Sequence, residues 1–156
     1  MQVLSGHPNI LLSLATYNKH LMVASYDGTI SVYEPSPSAG AAPGAPPLGG
    51  APCFTYDRGI DGRQEGVFAM CVTVDKQNRS VLLASFNNTA SAALFDLNSF
   101  FGRGELRNQC TIRTLTHERA DMRALLAGPN GYFFTGDDAG TVQVWRWTDG
   151  PPAEGP

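Results

Sequence analysis

Charge is scarce in this chain. Asp, Glu, Lys and Arg make up 16% of the 156 residues, against roughly 25% in an ordinary globular domain. The imbalance is only -3 at pH 7, with a pI near 5.5, so there is no general basic field of the kind that draws a protein to nucleic acid or anionic lipid. Cysteine is scarce as well. Cys53, Cys71 and Cys110 are odd in number, widely spaced and in no C-x-x-C arrangement, which argues against a disulfide framework and against a zinc site. They are expected as small buried or half-buried hydrophobes in a reducing compartment. No apolar run approaches the ~20 residues needed to cross a bilayer, and Met1 to His7 holds no cationic stretch leading into an apolar one. An intracellular location, nucleus or cytoplasm, is expected, with no membrane partner. The sequons Asn78-Arg79-Ser80 and Asn87-Asn88-Thr89 then stand as turns, because without a secretory route they never meet the glycosylating enzyme. Stretches of ten or more residues with a 3.6 period are also lacking.

What the chain does have is turn formers, 17 Gly and 11 Pro, set between short apolar runs of strand length. These runs are Ile10 to Leu14, Leu21 to Ser25, Thr29 to Tyr33, Val67 to Val74, Val81 to Ser85, Ala92 to Phe95, Met122 to Ala127, Tyr132 to Thr135 and Val142 to Trp147. Asp27-Gly28, Asn87-Asn88, Pro129-Asn130-Gly131 and Ala139-Gly140 fall between paired runs, as hairpin turns do. The chain is therefore expected to be all-β and built of antiparallel meanders. From Pro35 to Pro52 it is nearly all Pro, Ala, Gly and Ser. That composition cannot bury enough surface to offset its ordering entropy, so a disordered insertion is expected there. It lacks the basic anchor that a Pro-rich recognition peptide would place beside its prolines. The tail from Thr148 to Pro156 is expected to fray.

An internal repeat organises the runs. The segments LMVASYDGTISVYE, SVLLASFNNTASAALFDL and YFFTGDDAGTVQVWRW align on Tyr33, Phe95 and Trp145. Four residues ahead of each aromatic stands a hydroxyl, Thr29, Ser91 or Thr141. Three ahead stand Ile30, Ala92 and Val142, and one ahead Val32, Leu94 and Val144. The same alternating strand occurs three times. With the insertion and the tail set aside, each unit has roughly 43 residues, within the ~40 to 45 of a four-stranded propeller blade.

These residues resemble the WD-repeat family, whose mark is Gly-His followed, two strands and a tight turn later, by Trp-Asp. Gly6-His7 and Tyr33-Glu34 are an attenuated form of that pair. In the family, an Asp of the turn, the His, a strand hydroxyl and the Trp form a buried hydrogen-bonded cluster. The first unit matches with His7, Asp27 and Tyr33, but has Val23 at the hydroxyl place, with Ser25 nearby. The second has Ser85 and Phe95-Asp96 but Thr89 where Asp is expected. The third has Thr135 and Trp145 but Ala139 at the Asp place, with Asp137 and Asp138 just upstream. The resemblance implies a partial β-propeller of about three four-stranded antiparallel blades. The expected division is a first blade over 1–34 that includes the outer strand of a preceding blade at Met1 to Leu4, a second over 53–98, a third over 99–147 and a flexible tail over 148–156. Since propellers close with four to eight blades, three leave two open faces, through which the chain is expected to self-associate.

A narrower resemblance rests on GVFAMCVTVDKQNRSVLLASFNN, LFDLNSFFGRG and RALLAGPNGYFFTGDDAGTVQVWRW. They are similar to the C-terminal blades of plant-type proteins that join a CCCH zinc finger to a WD-repeat domain. The resemblance implies a finger that contacts RNA and a propeller that recruits proteins. No run of three closely spaced cysteines followed by a histidine occurs here, so RNA is expected to be reached only indirectly, through a finger absent from this chain.

The remaining constellations give no chemistry. His117-Glu118 opens the zinc motif H-E-x-x-H, but residue 121 is Asp and the second ligand is missing. His7 is expected to be structural and His20 to be a solvated hairpin residue. Asp57, Asp61 and Glu65 fit no calcium loop, and Asp137-Asp138 has the character of a turn. Arg103, Arg107, Arg113, Arg119 and Arg123 gather near Phe100 and Phe101, which would suit phosphate and base contacts. Glu105, Glu118 and Asp121 interrupt that patch, so it is at most a binding rim. The function expected is a non-catalytic scaffold that binds proteins through its loops, with no enzyme activity, cofactor or metal. A propeller hydrolase or a direct RNA-binding module are the alternatives; the first needs an acidic or histidine cluster near the axis, and the second a steep salt dependence.

Overall fold

The computed structural model describes residues 1–40, 42–57, 66–102, 111–116 and 120–147. Each of the nine apolar runs is a strand. They are β1 (Leu11–Tyr17), β2 (His20–Ser25), β3 (Thr29–Tyr33), β5 (Val67–Val74), β6 (Ser80–Phe86), β7 (Ser91–Asp96), β9 (Met122–Ala127), β10 (Tyr132–Asp137) and β11 (Val142–Arg146). Three further elements stand between them: β4 (Phe54–Asp57), α1 (Leu97–Gly102) and β8 (Thr111–Thr116). The hairpins turn where positive φ is tolerated, at Gly28 (+86°), Asn88 (+56°), Asn130 with Gly131 (+55° and +76°) and Gly140 (+81°). The first sequon residue, Asn78, also takes a turn conformation at φ +60°.

The strands form three antiparallel sheets, β1-β2-β3-β4, β5-β6-β7-β8 and β9-β10-β11. The opening strands β1, β5 and β9 lie side by side, and the Ser13 hydroxyl of β1 accepts the Met70 N–H of β5 at 3.0 Å. The middle sheet is sandwiched. Toward the first sheet it sends Met70, Leu82, Ala84, Phe86 and Phe95 against Met22, Ile30, Val32 and Tyr56. Toward the third it sends Val81, Leu83, Ala92 and Leu94 against Met122 and Phe133. Period-2 alternation makes both cores from one sheet, since neighbouring side chains point to opposite faces.

The sheets divide the chain differently from the expected units. Phe54–Asp57, placed with the second blade, pairs with β3 and closes the first sheet. Thr111–Thr116, placed with the third, pairs with β7 and closes the second. In these two sheets the last strand goes to the free edge of the strand before it, so each ends beyond its long connection. Met1 to Leu4, expected as an outer strand, is not in a strand; the Gln2 side chain instead reaches the Leu48 backbone. The third sheet has three strands among the described residues. The stretch from 35 to 52 links β3 to β4 without helix or strand among its described residues, but its arms meet at a Pro35–Leu48 bridge, with Gly49 N–H donating to Glu34 O at 2.9 Å. The Gln2 side chain bonds the Leu48 carbonyl and N–H at 2.8 and 3.1 Å.

The two ends of the stack are unequal. On the outer side of the first sheet Val23, Ser31 and Tyr33 are buried, and His7 packs on Tyr33 there. The Ile10 carbonyl accepts from the Ser25 hydroxyl and the Tyr26 N–H. Leu14 stays exposed. Among the described residues the third sheet has no such cover. Its cross-strand row Leu126–Phe134–Val144 occupies the place that Cys71–Leu83–Leu94 holds in the second. Yet Val144 is 63% exposed and Leu94 0%. Expected uncovered faces at both ends are thus found bare at one and partly sheathed at the other. The same register position should therefore differ in energy: Leu94→Ala is expected to cost about 2–5 kcal/mol, and Val144→Ala less than about 0.5 kcal/mol, by urea unfolding of each variant.

Candidate functional site

The three units place their cluster residues equivalently but pair them differently. In the third, Trp145 Nε1–H donates to Thr135 Oγ1 at 2.9 Å, and the indole stacks on Phe133 with centroids 5.9 Å apart. In the first, Val23 supplies no hydroxyl, and the Tyr33 phenol instead meets His7 Nε2 at 2.9 Å. Burial pushes the Tyr33 hydroxyl above its ordinary value, so it stays protonated at neutral pH. In the second, Phe95 has no N–H to offer, and the fully buried Ser85 hydroxyl has no partner. Asp27 accepts from Thr29 N–H and Oγ1–H at 3.0 and 2.6 Å within its own turn. Asp96 caps α1 by accepting from Ser99 N–H at 3.0 Å.

A second arrangement lies at the end of the sheets that carries the β2–β3, β6–β7 and β10–β11 turns. Tyr26, 43% exposed, accepts from Asn87 Nδ2 at 3.4 Å. Asn87 Oδ1 is reached by Arg123 Nη1 at 3.5 Å. Arg123 Nη2 lies 3.2 Å from Asp121 Oδ2 and 3.1 Å from Asp138 Oδ2, while the guanidinium covers Phe68 at 4.3 Å. One line of contacts thus crosses all three sheets. Gly66 permits it: an added Cβ would stand 2.7 Å from the Tyr26 carbonyl oxygen, and the Gly66 carbonyl accepts from Asn87 N–H at 2.7 Å. Sequence reasoning named the turns and Arg123 but missed Tyr26, Phe68 and Asn87 as a group. The signal available was that Tyr26 and Asn87 occupy matching places directly after strands β2 and β6.

Of the five rim arginines, Arg123 is held between two carboxylates. Arg113 belongs to β8, its backbone opposite Leu94, and Arg103, Arg107 and Arg119 lie outside the described residues, as does His117. Asp137 Oδ1 accepts from Ala139 and Thr141 N–H at 3.1 and 2.8 Å, as turn chemistry. His20, expected to be solvated, is instead half-buried and packs on Phe101 with centroids 4.8 Å apart, because Phe101 of α1 folds back over the β1–β2 hairpin. Asp57 lies in β4; Asp61 and Glu65 are outside the described residues. Among the described residues no three His, Cys, Asp or Glu side chains could share a metal ion.

No model of a protein family matches the chain. It is similar to Zinc finger CCCH domain-containing protein 48 of Arabidopsis thaliana, 39% identical over 83 residues, which are 53% of this chain and 17% of that protein. Protein 17 of the same naming in Oryza sativa subsp. japonica is 36% identical over 54% of this chain and 17% of its own length. Protein 63 of Arabidopsis thaliana is 37% identical over 58% and 19%. The chain spans less than a fifth of these relatives. Among solved structures, BBS1N in complex with ARL6DN matches at a TM-score of 0.60 and 12% identity, over 90% of this chain and 38% of that one. The Myceliophteria thermophila Cps50 (Swd1) β-propeller domain matches at 0.60 and 14%, over 89% and 38%. The fold is that of part of a β-propeller.

Two measurements follow from the buried groups. Thr135→Val strands the Trp145 N–H and is expected to cost about 1–3 kcal/mol, whereas Ser85→Ala removes an orphaned hydroxyl and should be neutral or stabilising; thermal melts of the pair compare them. Burial also pushes the Cys71 thiol up from 9.0 to about 11, while Cys53, expected to be buried or half-buried, is exposed, since it stands just before the short strand β4. In a Cys110→Ser background at pH 8, Cys53 is expected to react with Ellman's reagent at once and Cys71 only on unfolding. Because the folded value is the higher one, this thiol's contribution to stability is complete below pH 9.0 and is lost as the pH rises through about 11.

Proposed function

We propose that this chain is a set of WD-type blades acting as a non-catalytic protein-interaction scaffold within a longer protein of the CCCH zinc-finger kind. The observation that carries the reading is the Tyr26–Asn87–Arg123 line, a half-exposed aromatic on a turn and a guanidinium at the start of β9, held by three rigid sheets. Loops on such a frame are where partners bind, and Tyr and Arg are the residues that dominate interface energies. The solved BBS1N propeller, a match in fold only, is likewise seen with a protein partner.

The relatives' names support a zinc finger elsewhere in the full protein, so RNA is reached indirectly. Arg123 is neutralised by Asp121 and Asp138, which leaves it a poor phosphate ligand. The non-catalytic reading is supported by strands β1, β5 and β9, whose only charged side chain is Arg123. The bare Leu126–Phe134–Val144 face supports self-association or cover by further blades, and the composition supports a nuclear or cytoplasmic site.

A photo-crosslinking residue at position 26, in the full-length protein in cells, is expected to capture a discrete protein partner, and one at the solvent-facing position 88 of the next turn a subset of it. Tyr26→Ala should weaken the purified partner's binding about tenfold or more. Adducts consisting of RNA, or an RNA affinity with a steep salt slope that Arg123→Gln removes, would replace the scaffold with a nucleic-acid module.

A further inference from the structure

Strand β11 is the third strand of its sheet, as β3 and β7 are of theirs, and the three align on Tyr33, Phe95 and Trp145. Beyond β3 stands β4, and beyond β7 stands β8. Beyond β11 no strand stands among the described residues. The Thr141 carbonyl accepts from Asp137 N–H at 3.1 Å and the Trp147 N–H donates to Gly131 O at 3.2 Å, both toward β10. Backbone groups alternate in direction along an antiparallel strand. Gln143 and Trp145 therefore also turn theirs to β10, while Val142 and Val144 turn theirs to the open side. The place of Val144 is held in the first sheet by Val32, whose carbonyl takes the Cys53 N–H at 2.7 Å, from the residue that leads into β4. Val142 and Val144 are themselves 71% and 63% exposed.

The two completed sheets specify what a fourth strand carries. Val142 corresponds to Ile30 and Ala92, which stand opposite Tyr56 and Leu115. Gln143 corresponds to Ser31 and Ala93, both opposite a threonine, Thr55 and Thr114. Val144 corresponds to Val32 and Leu94, opposite Phe54 and Arg113. The order along the added strand is thus a large residue, Thr, and a large apolar residue. The Ser31 and Thr55 hydroxyls lie 3.4 Å apart, and Gln143 offers an amide in the place of Ser31. Two residues past Val144, at the end of the sheets away from Tyr26, Arg146 is exposed and stands over the Tyr132 ring at 5.4 Å. No carboxylate among the described residues pairs with it. Asp75, which lines the same cleft, is held by Arg79 at 2.7 Å. An acid two residues ahead of the first large residue would stand opposite the guanidinium.

We infer that the β11 edge takes a fourth strand from another protein, an extended antiparallel segment that reads acid, any residue, large apolar residue, Thr, large apolar residue. An uncovered edge is a template for such pairing; the main-chain hydrogen bonds supply affinity and the alternate side chains specificity. The charge of Arg146 fixes the direction and register by selecting the acid. Residues 148–156 of the chain itself are poor material for this strand, with three prolines and two glycines among nine residues. Met1 to Leu4 of a second copy would give up the two bonds of Gln2 to Leu48 and bring no acid to Arg146. The edge is apart from the Tyr26 rim, so either can fail without the other.

The test uses the whole chain and a fluorescein-labelled peptide, Gly-Ser-Glu-Ser-Phe-Thr-Leu-Thr-Ser-Gly, read by anisotropy. Saturable binding is expected. N-methylation of the Phe or the Leu nitrogen, whose N–H faces β11, should lower it about tenfold or more, and N-methylation of the Thr between them, whose N–H faces away, less than about threefold. An apolar contact alone gives no such contrast. Gln for Glu in the peptide should weaken binding about two- to fivefold, the size of an exposed ion pair. Arg146→Glu should reverse the preference toward a peptide with Lys in that place, while melting stays unchanged because the side chain is exposed. No saturable binding, equal effects of the three methyl groups, or the same preference in Arg146→Glu would overturn the proposal. Dimerisation seen by ultracentrifugation and abolished by deleting residues 1–4 would give the edge to a second copy. Peptide binding seen only after removal of residues 148–156 would give it to the chain's own end, and either result would overturn the proposal too.

Discussion

Every other feature hangs on the double burial of the middle sheet. Strand β6 runs Ser80–Phe86 with all but its first residue buried, so it packs on two neighbours at once and has no polar face to give to water. A strand in that position must be apolar at consecutive residues instead of alternating. Each of its large side chains contributes about 1.5–3 kcal/mol when withdrawn from water, but only if a sheet stands on either side. The order of the stack therefore explains why one strand pattern repeated three times has two burial outcomes: buried in the first two sheets, open in the third.

Much of this was legible in the residues. Strands β3, β5 and β9 fall at the expected bounds, because β-branched and aromatic side chains between turn formers leave little choice. The resemblance, carried by motifs as short as Gly6-His7 and GPNGYFFTGDDAGTVQVWRW, anticipated sheets and turns alike. What escaped were β4 and β8. FTYD is too short to show a period, and TIRTLT alternates weakly, so each is a strand chiefly because β3 or β7 offers an open edge. Such strands are made by their partners, and a local pattern cannot announce them.

The degenerate hydrogen-bond clusters show how much of a motif a fold requires. One unit keeps Trp145 with Thr135, one replaces both members by pairing Tyr33 with His7, and one keeps only Ser85. All three sheets form. The energy at stake in one buried hydroxyl is about 1–3 kcal/mol, smaller than the burial of the apolar rows around it, so the polar cluster can erode while packing holds the blade. Identity of fold at 12–14% identity to solved propellers is what that ordering of energies would produce.

The two ends of the sheets then differ in what their charges can still do. At the Tyr26 end, Arg123 is bound by two carboxylates and covers an aromatic ring, so its field is spent within the molecule and what remains for a partner is shape, a phenol and hydrogen bonds. At the other end the acid is the group that is spent, on Arg79, while Arg146 stays exposed over the Tyr132 ring. Opposite outcomes arise from the same device, a turn residue paired with a neighbour a few positions away. Because the turns are rigidly spaced by the strands beneath them, changing which member of a pair is satisfied locally changes the sign presented to a partner without moving the backbone. A repeated sheet can in this way carry two unlike surfaces on one core.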